Sequence, residues 1–302
     1  MSPVGRPAVG AGLVFLAAVG FSIKSVLIKV AYGEGASPTT LFALRQLFSV
    51  PFFVILALWS HRADRSDLRP PTRRDRVHLV GLGLLGYYLA AFLDFLGLSY
   101  ISAGLERLIL FLYPTVVVLL SAWWLRERIR RRQAVALALS YVGIGLVFAA
   151  QIRLTGSSRA MWIGSALVFT SAVLYSVYLI GSSRVVHRFG AIRFTTGSML
   201  VATAAGLTQF FAAHTVDDLR LPGRVYVLAF VMALFATVIP TLMMAEGLRR
   251  IGANQAALVG TIGPVVTMVL GAVFLGEQFG PVQIAGAGLV LAGVLMVSVR
   301  SG

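Results

Sequence analysis

Six ionisable side chains, Lys24, Lys29, Arg45, Asp94, Glu106 and Arg107, stand inside otherwise apolar stretches of the chain. In hydrocarbon a charge costs about 2.5 to 3.5 kcal/mol on insertion scales, so it marks a pathway, a proton relay or an ion pair. Lys24 and Asp94 are the deepest and opposite in sign. Such a pair either bridges two helices or grips a zwitterion and opens during gating. Lys29, Glu106 and Arg107 stand near the ends of their stretches, where a long side chain reaches the interface. Arg45 is placed to bond helix-end carbonyls or the Ser37-Pro38-Thr39 loop. Helical spacing groups polar residues and their neighbours on single faces: Ser171, Tyr175, Tyr178 and Ser182; Tyr87, Ala91 and Asp94; Glu106, Leu110 and Tyr113; Thr237, Thr241 and Met244; Asn254 and Thr261. Faces of this kind line a cavity, or they make interhelical hydrogen bonds worth about 0.6 kcal/mol each. Read as a lining, the candidate substrate-binding residues are Lys24, Tyr87, Asp94, Tyr113, Tyr175, Tyr178, Thr237, Thr241 and Thr261. Their aromatic and neutral polar groups suit a neutral or zwitterionic amphiphile. A phosphate site would want several buried cations, and only Lys24 and Arg45 offer themselves.

The elements that must hold these residues follow from composition. Of 302 residues, 58% are apolar and 12% charged, and the mean hydropathy of +0.87 places the chain in lipid. A crossing takes about 20 apolar residues, and ten stretches qualify: 9–31, 39–59, 78–98, 102–124, 133–150, 161–181, 194–213, 225–247, 253–275 and 281–299. The expected fold is all-α and membrane-integral, with ten transmembrane helices. The first stretch reads as a retained helix, since no small-residue cleavage site follows it.

Several function classes drop out. There is no cysteine, and His61, His78, His187 and His214 show no ligand spacing, so neither metal nor other cofactor is expected. No phosphate-binding loop, Gly-x-Ser-x-Gly, His-Glu-x-x-His or intramembrane aspartate pair is present, so no enzyme is expected. The net charge of +15 is a matter of placement: eighteen Lys and Arg fall in alternate loops and termini, against four in the other loops. Short cytoplasmic loops collect cations, so both termini should be cytoplasmic and nucleic acid is no partner. The partners expected are a small-molecule substrate and membrane lipid, with the chain a monomer or weak homodimer. The glycines Gly143, Gly145, Gly286, Gly288 and Gly293 serve close helix packing.

Sliding the chain along itself gives similarity at an offset of 150 residues. Tyr113-Pro114-Thr115 lies over Gly263-Pro264-Val265, Glu127 over Glu277, Gln133 over Gln283 and Gly143 over Gly293. The chain thus divides at 1–150 and 151–302 into five-helix repeats. An odd number of crossings inverts the second against the first. Inverted repeats with matched broken helices are a transporter architecture with the site near the midplane. Pro114 and Pro264 each remove a backbone hydrogen bond and are the expected helix breaks and gating points. Glu127 and Glu277 read as helix-terminating residues that bind a neighbouring loop.

The run Phe274-Leu275-Gly276-Glu277-Gln278-Phe279-Gly280-Pro281, with Phe21 to Lys29 and Ala43-Leu44-Arg45, resembles the EamA branch of the drug/metabolite transporter superfamily over essentially the whole chain. Arg126-Glu127-Arg128 departs from the Gly-Glu-Arg commoner there. The resemblance implies a bacterial inner-membrane secondary transporter that exports amino acids or similar metabolites by alternating access, with aromatic amino-acid exporters as the nearest relatives. The alternatives are a multidrug or cationic-compound exporter and a non-transporting membrane scaffold.

Overall fold

The computed structural model describes residues 7–63, 72–124, 126, 128–155 and 158–298. These form α1 (Pro7–Gly33), α2 (Pro38–Ala63), α3 (Arg73–Leu82), α4 (Ala90–Leu98), α5 (Ala103–Leu110), α6 (Tyr113–Trp124) and α7 (Arg131–Thr155). The second half supplies α8 (Arg159–Phe189), α9 (Ala191–Ala213), α10 (Gly223–Ala233), α11 (Ile239–Gly260), α12 (Ile262–Leu275) and α13 (Pro281–Ser298). Among the described residues there is no strand. Nine stretches of described helix are long and apolar enough to cross a bilayer. The tenth crossing is α9, 23 residues long but diluted by Thr195, Thr196, Ser198, Thr203, Thr208 and Gln209. Large exposed apolar side chains, among them Trp123, Val273, Phe274 and Ile55, cover the outside as a lipid-facing surface requires.

Local chemistry sets the helix ends. Thr72 and Asp75 form a reciprocal capping box at the start of α3. Ser102 and Ser158 accept the Leu105 and Met161 amides at 3.3 and 3.1 Å, and so start α5 and α8. Gly252 at φ 77° breaks α11, dividing the eighth crossing from the ninth.

The packing repeats under exchange of the halves. The fifth and tenth crossings, α7 and α13, pair with each other, as do the second and seventh, α2 and α9. The first crossing packs on the eighth and ninth, and the sixth packs on the third and fourth. The match reaches single atoms. A methyl on Gly247 would stand 2.5 Å from Val14 Cγ2 and 3.1 Å from the Gly10 carbonyl, and one on Gly97 would meet Val168 and the Gly164 carbonyl at 2.5 and 3.0 Å. Gly143 likewise meets the Gly286 carbonyl at 2.6 Å, and Gly293 the Ala136 carbonyl at 2.5 Å. The register between halves is therefore 150 residues from the third crossing onward and 154 between the first and sixth, where Gly10 answers Gly164 and Val14 answers Val168. Gly145 and Gly288 meet nothing within 4 Å, so the close-packing role covers only Gly143, Gly286 and Gly293.

Two further matches lie beyond simple helical periodicity. Single π-helical segments, Gly83–Leu89 and Leu234–Val238, interrupt the third and eighth crossings at corresponding places. At the end of α12, Gly276 takes a left-handed conformation with φ 65°, and Arg126 takes φ 57° at its counterpart. Glycine adopts that region without penalty, whereas a side chain there costs about 1 kcal/mol. Arg126→Gly should therefore stabilise the protein by about 1 kcal/mol in thermal unfolding of the detergent-solubilised chain. An unchanged or lower melting temperature would contradict the strain.

Candidate functional site

Charge gathers where the first, third and fourth crossings meet. Lys24 Nζ on α1 donates to Asp94 Oδ2 on α4 at 2.6 Å, with the aspartate side chain only 2% exposed. Glu106, in the first turn of α5, is fully buried, and its carboxyl lies within hydrogen-bonding reach of Asp94. The expected interfacial position for Glu106 is thus corrected. The fourth crossing starts under a roof: Phe279 packs so closely on Gly104 that a methyl there would stand 2.6 Å from the ring.

Two arginines complete the cluster. Arg45 is buried, with its guanidinium 5.2 and 5.1 Å from the ring centres of Phe42 and Phe95 and an Nη1 hydrogen bond to Thr237 Oγ1 at 3.3 Å. This replaces the expected bonding to helix-end carbonyls, because stacking on two rings compensates a buried guanidinium better than a loop at the surface. Arg107, half-buried, donates no hydrogen bond to a described residue, and its Nη2 would touch a methyl placed on Gly263 at 3.2 Å. Its fixed planar donors suit a carboxylate.

Beside the charges runs a file of tyrosines. The rings of Tyr113 and Tyr175 lie 5.3 Å apart, Tyr175 stacks on Tyr178 at 5.7 Å, and Tyr178 meets Tyr87 edge-on at 5.0 Å. The Tyr178 hydroxyl donates to the Tyr87 hydroxyl at 3.2 Å. All four tyrosines singled out by spacing are thus brought together. Tyr87 and Asp94 do not share a face, however. Tyr87 turns to α8 and Asp94 to α1, because the π-helical segment between them changes the register.

The helix breaks fall at matched places. The fourth crossing breaks at Phe111 and Leu112, and the ninth at Thr261. Pro114 and Pro264 sit within the first turn of the helix that follows, where a missing N–H costs least. Ser176 Oγ reaches the Tyr113 carbonyl at 3.0 Å, and Ser22 Oγ reaches the Gly263 carbonyl at 2.8 Å. Each hydroxyl is shared with a carbonyl of its own helix, Ala18 for Ser22 and Ala172 for Ser176, both at 2.7 Å, so each break meets the partner half through one bifurcated serine. Thr267 Oγ1 lies 3.4 Å from the Ser22 carbonyl, which ties the ninth crossing to the first.

The remaining candidates have local duties. Thr237 Oγ1 receives Arg45, Thr241 Oγ1 donates to the Thr237 carbonyl at 2.6 Å, and Thr261 Oγ1 donates within its own turn to Leu258. Thr261 makes no contact with the charged or aromatic groups among these bonds. Ser171 and Ser182 likewise spend their hydroxyls on the Ala90 and Leu179 carbonyls. Lys29 donates to the Leu98 and Ile101 carbonyls at 3.1 Å, closing the end of α4. Glu277 accepts the Ala103 and Gly104 amides at 2.6 and 3.0 Å, capping α5 from the other half. Glu127 and the Asn254 side chain lie outside the described residues. Among the described residues no three histidines or carboxylates converge on a metal-sized point.

Spacing pointed to Tyr87, Tyr113, Tyr175, Tyr178, Lys24 and Asp94, but passed over Arg107 as a site residue. Its signal was its place four residues before the break at Phe111.

The chain matches the profile of the EamA-like transporter family twice, over residues 8–149 and 162–299. It is similar to the uncharacterized transporter YcbK of Bacillus subtilis, 32% identical over 296 residues, which cover 95% of this chain and 92% of that one. YyaM of the same organism, likewise named an uncharacterized transporter, is 26% identical, with 94% and 93% covered. One crystal structure of a protein 19% identical in sequence superposes on 95% of each chain with a TM-score of 0.65, which extends the likeness in fold.

Removing one member of a buried ion pair strands the other, at about 3 to 5 kcal/mol, whereas replacing both by apolar residues is close to neutral. Asp94→Leu should therefore lower stability by about 3 kcal/mol, and the double variant Lys24→Met with Asp94→Leu should recover most of it. Equal losses in single and double variants, measured by unfolding in detergent, would contradict a coupled pair.

Proposed function

The chain belongs to the EamA-like transporter family, and from that premise we propose that it exports amino acids, aromatic ones among them, or similar small metabolites by alternating access. The protein is a multi-pass membrane transporter. In this reading it sits in a bacterial inner membrane with both termini cytoplasmic, and residues 1–150 and 151–302 are the units that rock against each other.

The observation that carries the substrate class is the juxtaposition of the tyrosine file with the Lys24–Asp94 pair and Arg107. A zwitterion presents a carboxylate to a guanidinium or ammonium, and an ammonium to a carboxylate. Asp94 can take the solute ammonium only by giving up Lys24, which leaves Lys24 for the solute carboxylate beside Arg107. Binding then exchanges one internal ion pair for two across the solute, with no charge left bare in the bilayer. The tyrosine rings offer an apolar face with a polar edge to the solute side chain.

The breaks support the alternating motion. Ser22 and Ser176 each bind a carbonyl beside a proline in the opposite half, and these are bonds that can part and re-form as the halves turn. A cationic-compound exporter would want an acidic residue in the cavity without a companion cation; Asp94 already holds Lys24, and Glu106 shares the field of Lys24 and Arg107.

Solute counterflow in proteoliposomes of the purified protein, screened over amino acids, sugar phosphates and organic cations, tests the proposal. Neutral and aromatic amino acids should exchange. Exchange of another class alone, or of none, would overturn it. Tyr113→Ala and Tyr175→Ala should each weaken apparent affinity about five- to tenfold, the worth of one aromatic contact, at near-normal expression. Unaltered transport in both would remove the aromatic lining.

A further inference from the structure

The four carboxylate oxygens of Asp94 and Glu106 are unequally served. Asp94 Oδ2 takes Lys24 at 2.6 Å, while Asp94 Oδ1 and both oxygens of Glu106 are buried and receive no donor. The two carboxyls are nevertheless close enough to act directly on each other. Orphaned buried acceptors are costly, and those in a bilayer more so, because no water competes to solvate them.

No neighbouring donor is aimed at the three oxygens. From α1, Lys24 is spent on Oδ2, and Tyr32 donates to the Phe95 carbonyl at 2.7 Å. Lys29, on the same helix, goes to the Leu98 and Ile101 carbonyls. From α2, Arg45 turns Nη1 to Thr237. Arg107, on Glu106's own helix, holds its guanidinium near Gly263, Tyr113 and Tyr175; its charge, like that of Lys24, acts on Glu106 as well as on Asp94, but it donates no hydrogen bond to either carboxyl. The third crossing contributes Tyr87, bonded to Tyr178. α12 carries no titratable side chain, and Tyr141 of α7 is turned toward Thr115. One hydrogen between the two carboxyls would satisfy an oxygen of each.

We propose that Asp94 and Glu106 form a single proton-binding site, with Glu106 carrying the proton and donating it to Asp94 Oδ1, and that this site couples solute movement to proton movement. The coupling rests on the transporter reading; the proton site itself does not. With the proton in place, Asp94 keeps one negative charge and stays locked on Lys24. Loss of the proton to water admitted from one side puts two carboxylates in contact in a low-dielectric setting, and their repulsion drives the third and fourth crossings apart. Lys24 is then shared between two carboxylates, which leaves one negative charge uncompensated and open to the ammonium of a solute.

Infrared spectroscopy of the purified protein in lipid nanodiscs at neutral pH reads the proton directly, with no solute present. The wild-type chain should show the carbonyl stretch of a protonated carboxyl, shifted on exchange into deuterated buffer. Glu106→Gln should abolish it, and Glu277→Gln should leave it intact. Glutamine at 106 keeps a donor for Asp94, so the fold is preserved and the lost band cannot be laid to unfolding. Absence of the band from the wild type, or its survival in Glu106→Gln, would overturn the proton site while leaving the counterflow result untouched.

Discussion

A charge inside a bilayer must find its opposite within the protein, and most of this architecture follows from that demand. Lys24, Asp94, Glu106, Arg45 and Arg107 all lie in the first half, at depths where solvent cannot compensate them. Other helices serve several of them: Asp94 meets Lys24, and Phe95 and Thr237 join Phe42 of its own helix around Arg45. The same economy governs the backbone. The carbonyls beside Pro114 and Pro264 are met by serines, and the orphan amides that open α5 are met by Glu277.

Against this, the two halves are alike in packing and unlike in chemistry. Through the registers set by their contacts, Lys24 answers Tyr178, Asp94 answers Met244, Glu106 answers Ala256 and Tyr87 answers Thr237. One half thus supplies most of the charge, and the sixth crossing supplies the aromatic surface opposite it through Tyr175 and Tyr178. A repeated scaffold allows two packings of similar energy, and under the proposed function the unequal side chains would give a solute one preferred orientation. The conserved geometry is in the glycine contacts and serine stitches; the specificity is in what has diverged between them.

Much of this was legible in the residues alone. Hydropathy and the 150-residue offset give ten crossings and two halves, and helical spacing picks out the four tyrosines and the Lys24–Asp94 pair. Depth and direction were harder. Glu106 stands near the start of its stretch by counting, yet its side chain is fully buried, two residues from Gly104, over which Phe279 and Glu277 pack. Arg45 looks like an end-of-helix residue until Phe95 from another crossing arrives beneath it. The π-helical segments leave no periodic trace, and they separate Tyr87 from Asp94 on faces that an α-helix would have merged. In each case the deciding contact comes from a helix distant in sequence, which spacing along one helix cannot report.

A site open to either side requires the second half to run through the bilayer in the opposite direction to the first. Tyr100 and Arg250 are repeat-equivalent ends of the third and eighth crossings, each packed against a glycine of the partner half, and the chain has no native cysteine to confuse labelling. Single variants Tyr100→Cys and Arg250→Cys, treated with a membrane-impermeant maleimide in right-side-out and inverted vesicles, measure the direction of each half. Labelling of position 100 only from the outside and of position 250 only from the inside is the predicted result. Labelling of both from the same side would contradict the inversion, and with it the two-sided site.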